Sequence, residues 1–346
     1  VLTPAAYDRA ELLAEQGLPN RLIQACRPVL FNYIGYPTRA ASSGALWRWA
    51  DAMHEGRFED DFNEKLGGLT QEEWSWWRQI SRVVRSLTNG HPVTPRGALA
   101  RATIAFRALR ARAAPPALVV EVGPGSGYLS ALLGLTGYTV MVVENAQAFY
   151  LWQNRIFAGL FADKFVDLVT ENRESYAGCV VHVPWWRFYL LDPAPLEDFP
   201  VDAVAANHVL CEMHKDAAAY LARLTSIWGC PLLVEGWGLE TLNGSEGVKT
   251  TLDRHQVIPA AVEGTERPSN LTVALAEVLA WQTELAAGPP PRSAPMSAGG
   301  SCSTDPATMV EKYRPHLKQW VPLWLRLRLR LPLHRMRPLA QRLFKR

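Results

Sequence analysis

The sequence predicts an α/β fold, a mostly parallel sheet with helices on both faces, preceded by a helical N-terminal region. Three observations carry this expectation. From 117 to 239, short apolar runs alternate with segments of helical period, the pattern of parallel strands covered by crossover helices. The first run passes through a glycine-rich turn directly into a helix, "LVVEVGPGSGYLSALLG". Residues 1–110 read instead as successive amphipathic helices.

The helical region is bounded by recognisable signals. "TPAAYDRAELLAEQG" opens on Thr3-Pro4 and stops at Gly17, a residue pair suited to a helix start and stop. "SSGALWRWADAMHEGRFEDDFNEKL" and "TQEEWSWWRQISRVVRSL" follow, with apolar residues three and four apart. In the second, Thr70 and Glu73 have capping-box spacing. Trp47, Trp49, Trp74, Trp76 and Trp77 serve either helix packing or the wall of an acceptor-binding lid. "PRGALARATIAFRALRARAAPP" is a further helix, ended by Pro115-Pro116.

In the core region "ALVVEV" reads as a strand, "GYLSALLGLTG" as a helix and "YTVMVVE" as a strand. "AQAFYLWQNRIFAGLF" is a helix, "CVVHV" a third strand and "VDAVAANHV" a fourth. "HKDAAAYLARLTSIWG" is a helix with a glycine stop, and "CPLLVEGWG" a strand. The expected organisation is therefore 1–114 helical, 115–284 the α/β core, 285–305 a Pro/Gly/Ser-rich linker and 306–346 a basic extension.

At 346 residues and 48% hydrophobic composition, the chain can bury a large core, which argues against global disorder. The net charge of +3 is small, but no acidic residue follows Glu311. Such an asymmetric tail suits an anionic membrane surface, a nucleic acid or an acidic acceptor. Peripheral contact with an anionic membrane is the partner expected for it, and no nucleic-acid partner is expected. "WLRLRLRLPL" alternates as an edge strand does, or as a segment lying on a membrane. Five widely spaced cysteines form neither a CxxC pair nor a zinc pattern, so reduced thiols in the cytoplasm are expected. No uninterrupted apolar span reaches membrane length.

The glycine turn carries the chemistry. Gly123, Gly125 and Gly127 allow a tight turn and close approach of a ligand to the backbone, and the next helix start offers unpaired N–H groups. A phosphate-binding P-loop is disfavoured because the required Lys-Ser/Thr is missing. A nicotinamide site stays open, since Glu144 closes the second strand where a ribose diol would be held. Glu121, just ahead of the first glycine, adds negative charge that is awkward beside a pyrophosphate but suits a cationic or amino-bearing ligand.

The stretch Glu121-Val122-Gly123-Pro124-Gly125-Ser126-Gly127 resembles the first motif of class I S-adenosylmethionine-dependent methyltransferases, of the form E-x-G-x-G-x-G. The resemblance implies a Rossmann-like class I methyltransferase fold with S-adenosylmethionine as cofactor. It assigns the loop, with Tyr128, to the methionine part of that cofactor. It assigns Glu144, with Asn145, to the ribose hydroxyls, and Asp192 to the adenine. The interval from Glu144 to Asp192 is about ten residues longer than the pattern expects, so either "CVVHVPWW" is the third strand and Asp192 lies on an added loop, or the strand assignment shifts. "ANHVLCEMHKDAAAYLARL" after "HVPWW" is similar to bacterial sugar O-methyltransferases, in which Asn207, Glu212 and Met213 would close the fourth strand. That similarity implies a sugar-containing small molecule or glycan as acceptor.

A neutral sugar hydroxyl is a poor nucleophile, so a general base is sought at the strand ends. His208 is the first candidate and His182 the second, with Glu212 and His214 placed to orient or deprotonate the acceptor. Asn207 would hold cofactor or acceptor through its amide. Trp185 and Trp186 offer a stacking wall or ordinary packing, and Glu235 points toward the ligand edge if its strand is parallel. No metal site is expected, because the His208–Glu212 spacing lacks a third ligand. Three alternatives remain open: methylation of another small or lipid-linked molecule, a nicotinamide-dependent oxidoreductase, and a non-catalytic membrane-associated protein with a methyltransferase-like core.

Overall fold

The computed structural model describes residues 1–26, 38–47, 65–88, 96–171, 175–188, 201–207, 209–210, 213–234, 248–257 and 259–261. Within them lies a seven-stranded sheet. Its strands are β1 (Leu118–Val122), β2 (Thr139–Glu144), β3 (Phe165–Asp167), β4 (Val180–Pro184), β5 (Ala203–Ala205), β6 (Leu232–Val234) and β7 (Pro259–Ala261). They stand in the order β3-β4-β2-β1-β5-β6-β7, and all six pairings are parallel. This is a Rossmann-like α/β arrangement. All five residues of β1 and of β4 are buried, which explains why these strands read as continuous apolar runs rather than alternating ones.

The helices are α1 (Pro4–Glu15), α2 (Asn20–Cys26), α3 (Gln71–Leu87), α4 (Arg96–Arg110), α5 (Tyr128–Leu135), α6 (Gln147–Phe161), α7 (Trp185–Phe188), α8 (Lys215–Trp228) and α9 (Val248–Arg254). The step from β1 through α5 to β2 runs one way across the sheet, and the step from β5 through α8 to β6 runs the other. Right-handed crossovers therefore place α5 and α8 on opposite faces. The reversal falls between β1 and β5. In open parallel sheets, the crevice for a ligand lies at the carboxyl ends of strands flanking such a reversal.

Two of the expected N-terminal helices, α1 and α3, form where their boundary signals predicted. Thr3 accepts from the Ala6 N–H at the start of α1. Thr70 and Glu73 complete the capping box of α3: the Glu73 N–H donates to Thr70 Oγ1 at 3.2 Å and the Thr70 N–H to Glu73 Oε2 at 2.8 Å. Glu73 also receives Arg107 of α4 through Nε and Nη2, both at 2.8 Å. The cap thereby fixes two helices at once. Thr70→Ala should lower stability by about 1 kcal/mol, read as a drop of a few degrees in thermal melting.

Helix α1 inverts the usual polarity of a surface helix. Tyr7 and Glu11 are buried, while Leu12 and Leu13 are each 61% exposed. Glu11 is tolerated inside because its carboxylate receives the Trp185 indole N–H at 2.8 Å and pairs with Arg39, as a buried charge requires. Arg39 also reaches Asp8 at 2.6 Å, and Gln147 of α6 donates to the same carboxylate at 2.9 Å. Residues from Leu2 to Val257 contribute to one hydrophobic core, so the N-terminal helices pack as part of the α/β unit.

Four elements were not expected from the sequence: β3, α7, β7 and α9. Of the expected helix spanning 42–66, Ser43–Ala45 forms one 3-10 turn, and most of the remainder lies outside the described residues. The linker at 285–305 and the basic extension also lie outside them. Among the described residues, no helix is long and apolar enough to cross a membrane.

Candidate functional site

The turn after β1 sits at the carboxyl edge of the sheet, beside the reversal of strand order. Gly123, Gly125 and Gly127 have φ of 64°, 57° and 77°, left-handed values that other residues adopt at a cost. Two of them also clear space for the protein's own side chains. A Cβ on Gly123 would lie 2.3 Å from Val209 Cγ2, and one on Gly127 would lie 3.0 Å from Gln153 Cγ. Val209, in the segment after β5, thus closes directly onto the glycine turn. Pro124, Ser126 and Tyr128 are buried in the same turn.

Two of the three glycine backbone donors are engaged within the protein. The Gly123 N–H donates to the Val143 carbonyl at 2.9 Å and the Gly127 N–H to the Pro124 carbonyl at 3.1 Å. The Gly125 N–H faces the Glu144 carboxylate and favours its ionised form. A loop that cradles a pyrophosphate offers its N–H groups to the ligand; here two glycine donors are spent within the protein and the third faces a carboxylate.

Glu144, last residue of β2, is the centre of the turn's hydrogen bonding. Its Oε1 accepts from the Asn145 and Ala146 N–H groups, each at 2.9 Å. Its Oε2 accepts from Gln153 Nε2 at 2.9 Å, and the same Nε2 donates to the Gly125 carbonyl at 2.8 Å. Despite these donors, burial pushes the Glu144 carboxyl up to about 7. Glu121, deep in β1 opposite Val142 and Ala205, accepts from the Ser130 hydroxyl of α5. Its burial likewise raises its carboxyl to about 7. Two protonatable carboxyls therefore stand behind one glycine turn.

The other expected residues divide into three groups. Asn207 reaches the edge after β5, and its Oδ1 is buried without a hydrogen-bond partner. Asn145 is committed elsewhere: its Nδ2 donates to the Cys26 carbonyl at 2.6 Å, tying the end of α2 over the end of β2. Asp192, His208, Glu212 and Glu235 lie outside the described residues.

The third group has a different setting from the one expected. Trp185 has no exposed surface, and its indole N–H is bonded to Glu11, so this ring presents no face for an acceptor. Trp186 is 5% exposed and meets Tyr7 edge-on, with centroids 5.0 Å apart. Both rings pack α7 against α1. His182 is completely buried in β4 and stacks on Tyr150 with centroids 3.6 Å apart. Burial depresses its imidazole well below the ordinary value, which keeps it neutral. It is enclosed rather than open to an acceptor. His214 caps α8, its Nδ1 accepting from the Asp216 N–H at 3.2 Å.

Sequence reasoning missed Gln153 and the role of Ser130, although one signal for Gln153 was present. In "AFYLWQNRIF", a Gln-Asn pair interrupts an otherwise apolar helix face, and both side chains prove buried and bonded. Glu11 and Arg39 were also missed, because their meeting with Trp185 requires parts of the chain far apart in sequence. Comparison of the chain with protein-family models, with curated proteins and with solved structures gives no match. What defines the protein so far is its class of fold, a Rossmann-like sheet with an acid-backed glycine turn at the switch point.

Proposed function

We propose that this protein is an S-adenosylmethionine-dependent methyltransferase acting on a hydroxyl of a sugar-containing small molecule or glycan. One observation carries the cofactor assignment: a buried carboxylate, Glu144, backs the turn and is tied to the Gly125 carbonyl through Gln153 Nε2. An anionic pyrophosphate would meet Glu144 where it needs donors, and that repulsion argues against a nicotinamide dinucleotide. A sulfonium ligand with an ammonium group and a ribose diol has the opposite demand, for acceptors and negative charge. Asn207 Oδ1, buried without a donor, suits that demand at the adjoining strand end.

S-adenosylmethionine, when bound, supplies an electrophilic methyl group. The chain's own residues would then divide the remaining work. Glu144 would take ribose hydroxyls on an Oε2 shared with Gln153, and Glu121 would add negative charge behind the turn. Asn207 would accept from the ligand's amino group. An acceptor hydroxyl needs a base, and His208 in the segment after β5 is the residue assigned to it. The O-methylation of a sugar rests on the sequence resemblance around Asn207, Glu212 and Met213.

Calorimetric titration with S-adenosylhomocysteine and, in parallel, with NAD is the direct test. Binding of the first and not the second is expected; binding of NAD alone would replace the methyltransferase reading with an oxidoreductase. The same titration has an expected pH signature. Hydroxyl donors favour the ionised form of Glu144, so binding near pH 7 should release protons. Affinity should then fall as pH drops below about 7, by up to about tenfold per unit. Glu144→Gln should flatten that profile, and an equally steep profile in the variant would remove Glu144 from the site.

A further inference from the structure

We propose that Gln153 and His182 form a positioning pair that aims the Glu144 carboxylate and the glycine turn at the ligand. The proposal rests on the reading of this edge as the cofactor site, and it extends that reading to two residues behind the edge. Gln153 Nε2 faces the Gly125 carbonyl at 2.8 Å, which can only accept, and Glu144 Oε2 at 2.9 Å. Both amide hydrogens are thereby assigned, and Gln153 Oε1 must point the other way. It lies 2.9 Å from His182 Nε2. An amide oxygen accepts only, so His182 must carry its proton on Nε2.

His182 Nδ1 is consequently a bare acceptor, and it has no hydrogen-bond partner. That is a costly way to fill a core position. Phenylalanine would supply the same bulk beside Tyr150, Phe157 and Phe165 without leaving a nitrogen unpaired. Keeping an imidazole here makes physical sense only through its single bond to Gln153. The ring cannot turn away, because Tyr150 stacks on one face and Phe157 meets it edge-on at 5.4 Å. Its burial-depressed basicity keeps it neutral and its tautomer constant.

The linkage therefore runs from a rigid aromatic layer to the ligand edge in two hydrogen bonds. Without His182, Gln153 Oε1 is left buried without a donor, and the amide loses the bond that holds it against Glu144 and the turn. Neither residue touches the ligand in this scheme. Both act through Glu144 and the turn.

The test has a ligand-free arm and a binding arm, both on the full chain. Nitrogen NMR of the wild-type protein should show His182 with a protonated Nε2 and a bare Nδ1. An Nδ1–H tautomer or an imidazolium would overturn the pair. S-adenosylhomocysteine affinity should fall roughly ten- to a hundredfold in Gln153→Leu and in His182→Leu, the range for losing a hydrogen bond to a charged group. The double variant should be no weaker than Gln153→Leu alone, because His182 acts through Gln153. His182→Gln, which retains a donor near the Nε2 position, should recover most of the affinity. Additive losses, or no recovery by glutamine, would mean that both residues are merely packing. If the wild type binds no S-adenosylhomocysteine, the cofactor reading fails separately. The pair then stands or falls on whether Gln153→Leu shifts the carboxyl carbon signal of Glu144.

Discussion

Replacing Gly123 with alanine is expected to destabilise the fold by about 2–5 kcal/mol, combining left-handed backbone strain with overpacking. The geometry leaves little room for relief. At φ 64° the new Cβ would stand 2.3 Å from one methyl of Val209 and 2.8 Å from its Cβ. Valine is branched at that carbon and cannot swing aside as a long side chain would. The residue must move as a whole, and with it the segment between β5 and α8. Denaturant titration of Gly123→Ala, Val209→Gly and the double variant checks this account. Val209→Gly should recover the overpacking part in the double variant and leave the backbone part. Simple additivity would show that Val209 is not what the glycine accommodates.

The second large effect concerns stability against pH. Glu121 has a folded value of about 7 against an ordinary 4.5. Its folded form holds a proton that the unfolded form releases between those two values. The contribution of Glu121 is therefore most favourable below 4.5, declines as pH rises through that window, and is constant above about 7. The difference is on the order of 3 kcal/mol. Glu144 acts in the same direction, as does Asp167, raised by burial. His182 opposes them. Its depressed value means that the folded form refuses a proton that the unfolded form takes up below about 6.5, so it removes stability as pH falls. Comparing Glu121→Gln with wild type isolates one carboxyl from this mixture. The variant should gain on wild type by about 3 kcal/mol between pH 5 and pH 8. A constant difference across that range would show that Glu121 titrates like a surface acid.

Much of the sheet was legible because buried parallel strands are apolar throughout, and "LVVEV", "TVMVVE" and "VVHVP" have no other economical reading. The glycine turn and its acids were legible for a related reason, since acids ending or interrupting such runs stand out. What could not be read was too short or too distant. Phe165–Asp167 and Pro259–Ala261 have three residues each, with no period to detect. Trp185 directly follows β4 and His182 is its middle residue rather than its end, and whether they face a ligand or the core depends on what covers them. For His182 the cover is Tyr150 and Phe157 of α6 with Phe165 of β3; for Trp185 it is α1, whose Glu11 meets it across 174 positions. Local pattern cannot supply a contact of that range. Gln153 sits between these cases: its polarity within an apolar helix was visible, but its three partners come from separate elements.

That long reach also constrains the order in which the molecule can assemble. Helix α1 is synthesised early, but the groups that enclose Tyr7 and Glu11 arrive much later. Leu2 bonds Asn154 across 152 positions and Asp8 bonds Gln147 across 139. Until α6 and α7 emerge, α1 lacks the groups that cover its buried face. Closing loops of this span carries an entropic cost that precedes any reward. Docking of α1 is therefore expected as a late kinetic event, with substitutions at Tyr7 accelerating unfolding far more than they slow refolding.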